Sequence, residues 1–164
     1  MNEISVDWET ERKVLRVILT LSRAVDDGNW DTVRRCLTSD VIVDGSGVRL
    51  QGVDAVVTFM KDAVKKGDDM KFQHVVTGLL LMEPLSEDLR VLGDQIVHCY
   101  SAAGVSRLRS RSGSRVEYQL RRDHAAWRIC LFSAARLWCE DKETGNLCAG
   151  STEVTEAQHQ VAVR

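Results

Sequence analysis

The residues best suited to chemistry in this 164-residue chain are an aspartate on an apolar helix pattern and a histidine inside an apolar strand pattern. Leu15, Leu19, Ser22 and Asp26 recur at i, i+4, i+7 and i+11, beside the apolar line Val14, Ile18, Leu21 and Val25. A lone carboxylate on such a stripe is costly without a partner. An imidazole is a suitable partner, because a carboxylate that accepts from one ring nitrogen fixes the tautomer and raises the basicity of the other. Asp26 could equally cap the helix end or bind a backbone amide of the following loop. His74 lies in Phe72-Gln73-His74-Val75-Val76, where a histidine is either a satisfied core residue or, once oriented, a general base.

Tyr118 is a candidate phenolic donor to a developing oxyanion, with ordinary core packing as the competing role. Strand alternation places Phe72 and Val76 with His74. It adds Gln95, Val97, Cys99 and Ser101 from a second strand and Val116, Tyr118 and Leu120 from a third, a mostly apolar lining to which Trp30 is added as a substrate contact. Cys36, Cys99, Cys130, Cys139 and Cys148 are odd in number and form no C-x-x-C pair, so free thiols are expected. With no close His or Cys pairing, neither a metal nor a cofactor is expected. Arg107, Arg109, Arg111 and Arg115 crowd a stretch that reads as a turn-rich hairpin around Ser110 to Ser114. It could meet phosphate, be phosphorylated or guard a sheet edge, although no aromatic residues interleave as nucleic-acid binding requires.

The elements that must hold these groups can be read from the pattern. A first helix begins at Ser5 or Asp7, and Asp27-Gly28-Asn29 breaks it. Asn29 caps a second helix through Trp30, Val33 and Leu37. Val41 to Val43 and Val48 to Leu50 flank a turn, and a third helix runs from Val53 to about Lys66. Four long strands follow: Lys71 to Met82, Leu89 to Ala102, Arg115 to Asp123 and Ala126 to Cys139. The expected class is α+β, a cone-shaped barrel in which the N-terminal helices pack on a strongly curved antiparallel sheet and enclose a pocket. Residues 1–141 form one domain, and the polar tail 142–164 is expected to be flexible.

Composition bounds the function. With 44% hydrophobic and 28% charged residues and a net charge of −2, the chain suits a self-sufficient core and disfavours nucleic acid as a partner. The longest apolar run, Leu79 to Met82, is far short of a membrane span. Met1-Asn2-Glu3 does not begin a signal peptide, so a cytoplasmic location without membrane contact is expected.

Asp26-Asp27-Gly28-Asn29-Trp30-Asp31, Phe72-Gln73-His74, Tyr118 to Asp123 and Trp127-Arg128-Ile129 together resemble the SnoaL-like branch of the nuclear transport factor 2-like superfamily, over residues from about 8 to 140. The resemblance implies that Asp26 and His74 match a catalytic aspartate–histidine pair of its dehydratase members. Three other positions of that machinery are replaced by Ser101, Val116 and Val25. It further implies a cofactor-independent isomerase, cyclase or dehydratase acting on a small hydrophobic carbonyl compound. A homodimer is implied too, formed through an outer sheet face with Ile96, His98, Tyr100, Cys130 and Phe132. A non-catalytic ligand-binding or assembly module, or the small subunit of a ring-hydroxylating oxygenase, are the competing roles on the same fold.

Overall fold

In the computed structural model, which describes residues 6–45, 47–65, 70–82, 87–101, 107–142 and 147–149, Asp7 caps the first helix. Its carboxylate accepts the Thr10 backbone N–H at 2.6 Å at the start of α1 (Trp8–Asp26). The helix stops because Gly28 adopts φ +65°, and the chain then turns back so that the Asn29 N–H donates to the Ala24 carbonyl at 2.8 Å. Asn29 in turn accepts from the Thr32 N–H and starts α2 (Trp30–Cys36). A hairpin of β1 (Leu37–Gly45) and β2 (Val48–Gln51) follows, and then α3 (Val53–Lys65).

The remaining strands are β3 (Met70–Leu81), β4 (Leu89–Ser101), β5 (Arg107–Asp123), β6 (Ala126–Asp141) and β7 (Leu147–Ala149). The sheet order is β2-β1-β6-β5-β4-β3, with β7 also pairing β6. The sheet is mixed rather than wholly antiparallel, because β1 runs parallel to β6. Bulges interrupt the β3–β4, β4–β5 and β5–β6 ladders and supply the curvature. Of the tail, Leu147–Ala149 forms β7, and residues 143–146 and 150–164 lie outside the described residues.

Two further expectations change. The arginine-rich stretch is not a hairpin tip: β5 begins at Arg107 and lies between β4 and β6, so it guards no edge. The sequence Arg-Ser-Arg-Ser-Gly-Ser-Arg is strand alternation, although serine and glycine at this density also suit a turn. Phe132 packs inward on Tyr118, with ring centroids 5.1 Å apart, instead of joining the outer face. Leu120 pairs with Ile129 and Gln119 with Leu131, so Cys130 is the extra residue that reverses the alternation.

The core occupies one half of the inner sheet face. Val14, Ile18, Leu21 and Ala24 of α1 pack with Leu89, Val91, Val116, Leu120 and Ile129, while Val33, Val56 and Val57 close the group from α2 and α3. On the neighbouring helical line Leu15 only borders this cluster, and Leu19 is 51% exposed. The burial of Asp26 therefore has another cause, the strand on which the end of α1 rests.

Candidate active site

At the last residue of α1, both carboxylate oxygens of Asp26 accept the backbone N–H of His74, at 3.2 and 2.9 Å. One of them also lies 2.5 Å from His74 Nδ1. The carboxylate thus grips both the backbone and the ring of one residue. The side chains are 12% and 19% exposed for Asp26 and His74, enough shielding to strengthen the contact and enough opening to admit a reactant. Nδ1–H donation to the carboxylate leaves Nε2 as the nitrogen able to take a proton.

Strand register places the other candidates. His74 pairs with Val97, which pairs with Ser112, which pairs with Cys139. On the flanking rows of the same face lie Phe72, Cys99 and Ser110, and Val76, Gln95 and Ser114. Ser101 pairs with Met70 at the strand end. Phe72, Val76, Val97, Cys99 and Ser101 are therefore brought to the half of the inner face that contains His74. His98 pairs with Gln73 and Arg111 on the opposite face.

Tyr118, Val116 and Leu120 are not brought there. Each is at most 3% exposed beneath α1. Tyr118 pairs with Val91, six positions along β4 from Val97, which amounts to about 20 Å of strand. Burial pushes its phenol pKa upward, so the group remains neutral. Trp30 opens α2, half-buried against the core. The expected apolar lining also changes, because Ser110, Ser112 and Ser114 run along the open half. The period-two arginine–serine alternation was the signal that could have found them.

Burial raises the pKa of the Cys99 thiol, against a lowering by its Ser110 hydrogen bond and the charge of Arg109. Cys36, Cys99, Cys130 and Cys139 are free. Among the described residues no three His, Cys, Asp or Glu side chains are grouped to hold a metal ion, and no helix is long and apolar enough to cross a membrane. A separate groove of about 610 Å³ follows the outer side of α1, past Trp8, Leu15, Leu19 and Asn29, and contains neither Asp26 nor His74.

The fold recurs in several solved structures. Aln2 from a Streptomyces species superposes with a TM-score of 0.68 at 14% identity, covering 80% of this chain and 93% of its own. ActVI-ORFA from Streptomyces coelicolor gives 0.67 at 11% identity, covering 78% and 97%. A hexachlorocyclohexane dehydrochlorinase, LinA type 2, gives 0.70 at 12% identity, covering 81% and 88%. No curated protein matches the chain. The model of the SnoaL-like domain matches residues 7–133, and the chain belongs to that family.

Proposed function

We propose that this protein is a cofactor-independent acid–base enzyme that removes a proton from carbon beside a carbonyl in a small, largely apolar molecule. The observation that carries this reading is the 2.5 Å contact between Asp26 and His74 Nδ1, at the point where α1 ends and the inner sheet face opens. His74 Nε2 takes the proton, the C–H electron pair moves into the enolate, and Asp26 stabilises the imidazolium. The enolate then follows one of three courses. It is reprotonated at another carbon by the imidazolium, attacks a second carbonyl of the same molecule, or expels a β-substituent. Isomerisation, cyclisation and elimination thus share one first step, and the shape of the site selects among them.

Ser112, two strands from His74 on the same row, replaces Tyr118 as the hydroxyl suited to meet the enolate oxygen. The dehydrochlorinase among the structural neighbours performs, by its name, an elimination, which agrees with a base-initiated step. The non-catalytic reading would have gained had Asp26 and His74 been held apart, and their contact favours the enzyme.

The test is deuterium incorporation beside the carbonyl of α-tetralone in heavy water, followed by mass spectrometry. The wild type should catalyse exchange and His74→Ala should lose at least about a hundredfold. Equal rates in the two proteins would overturn the proposal. The homodimer belongs to the same reading: Val75, 38% exposed on the outer face, lies on a row with Ile96 to which a second copy can add, and sedimentation should show a dimer.

A further inference from the structure

A glutamine is costly to leave half-buried without a partner, because its amide carries donors and an acceptor that water would otherwise satisfy. Strands β3, β4 and β5 carry one glutamine each. Gln73 accepts from the Tyr100 hydroxyl at 3.4 Å, and Gln119 donates to Glu117 at 3.3 Å. Gln95 of β4 is half-buried and makes no hydrogen bond among the described residues. It stands on the inner face. Its register partners are Val76 and Ser114, and no bulge separates these pairs from those of Val97 with His74 and Ser112. Asp94, the residue before it, is exposed.

Along β4, Leu89, Val91 and Gly93 are the inward residues buried in the core half, and Gln95 is the first beyond them. Val97, on the row of the proposed base, follows. Gln95 is thus diagonal to two groups at once, to His74 across β3 and to Ser112 across β5, each about 7–8 Å away between Cα atoms. Val97 lies between all three as an apolar floor. A base, a hydroxyl and an unpaired amide therefore border one small part of the inner face.

We propose that Gln95 is a catalytic residue that donates its amide N–H to the substrate carbonyl oxygen and, with Ser112, forms a two-donor site for the enolate. As His74 Nε2 takes the proton, the C–H electron pair forms the C=C bond and the carbonyl π pair moves onto oxygen, where both donors meet it. No described residue competes for the amide, so its donors are free for the charge that develops in this step. The inference rests on the reading of His74 as the base and adds an orientation. The carbonyl oxygen points to the core end of the site, and the apolar remainder of the substrate extends toward Phe72 and Cys99.

Infrared spectroscopy of bound α-tetralone, isotope-labelled at the carbonyl, tests this apart from turnover. The carbonyl stretch should lie lower in the wild type than in Gln95→Met, a variant of similar length with no donor. Gln95→Met should also lose about 10²-fold in exchange turnover with little change in KM, as for the loss of one oxyanion donor. It should melt no lower than the wild type, because the amide has no partner in the fold, whereas loss of a merely structural glutamine would lower the melting point. Gln73→Met, on the outer face, should leave both the band and the exchange rate unchanged. His74→Ala should keep the wild-type band while losing exchange, which separates the oxyanion site from the base. The inference is overturned if the wild-type band is not lower than that of Gln95→Met, or if Gln95→Met exchanges at the wild-type rate. A band that Gln95→Met shifts, in a wild type that catalyses no exchange, would overturn the acid–base reading alone.

Discussion

Replacing Asp26 by asparagine tests the proposed chemistry most directly, because it changes one atom and reverses a hydrogen-bond polarity. The aspartate offers acceptors to both the N–H and the Nδ1 of His74, at 2.9 and 2.5 Å. An asparagine can keep the backbone N–H on its oxygen, but its NH₂ group then faces Nδ1 and can only donate. Nδ1 must become the acceptor, the ring proton moves to Nε2, and the base is lost although the shape is kept. Turnover should fall by about 10²–10⁴-fold, the range for removing a positioned base or inverting its tautomer. Stability should change little, whereas Asp26→Ala leaves two half-buried donors without acceptors and should cost about 1–3 kcal/mol. At about 2–4 °C per kcal/mol for a chain of this size, the alanine variant should melt measurably lower than the asparagine variant. Exchange kinetics, thermal melts and nitrogen-detected NMR of the imidazole check the three parts. Wild-type exchange by Asp26→Asn, or an unchanged Nδ1–H tautomer in that variant, would refute the reasoning.

Tyr118→Phe should retain exchange activity within about twofold, because the phenol is beneath α1 and not beside His74, whereas Tyr118→Ala should lose about 3–5 kcal/mol of stability by opening a core cavity. Gly113→Ala should displace Trp138, since a Cβ there would collide with the indole nitrogen, and should cost about 1–3 kcal/mol with an altered tryptophan emission. Arg90 holds the Glu117 carboxyl below the usual glutamate range through two hydrogen bonds of 2.7 and 2.8 Å. The ionised form therefore adds stability above the ordinary glutamate pKa, and that contribution is lost as pH falls through the lowered value. Glu117→Gln should thus melt below the wild type at neutral pH, and the two curves should converge in acid.

Much of the fold was legible in the chain because local rules dominate it. Asp7 and Asn29 are caps with oxygen acceptors, Gly28 is free to take a positive φ, and period-two runs become strands. Asp26 and His74 were both legible as chemically unusual residues. The helical pattern accounts for Asp26 only in part: its line passes through an exposed Leu19, and the carboxylate is buried by β3.

The chain alone set the inventory: three helices, a run of long strands, one aspartate and one histidine out of place, and cysteines without metal-ligand spacing. Tertiary structure decided which of these residues meet. Helix α1 covers Tyr118, Val116 and Leu120 and stops level with His74, so the parity that groups all the inward residues does not divide core from site. Bulges decided the rest, turning Phe132 inward and pairing Arg107 with Ser101 of the inner face, because one inserted residue reverses a period of two. Such insertions are set by the pairing of distant strands and leave no local mark on the chain.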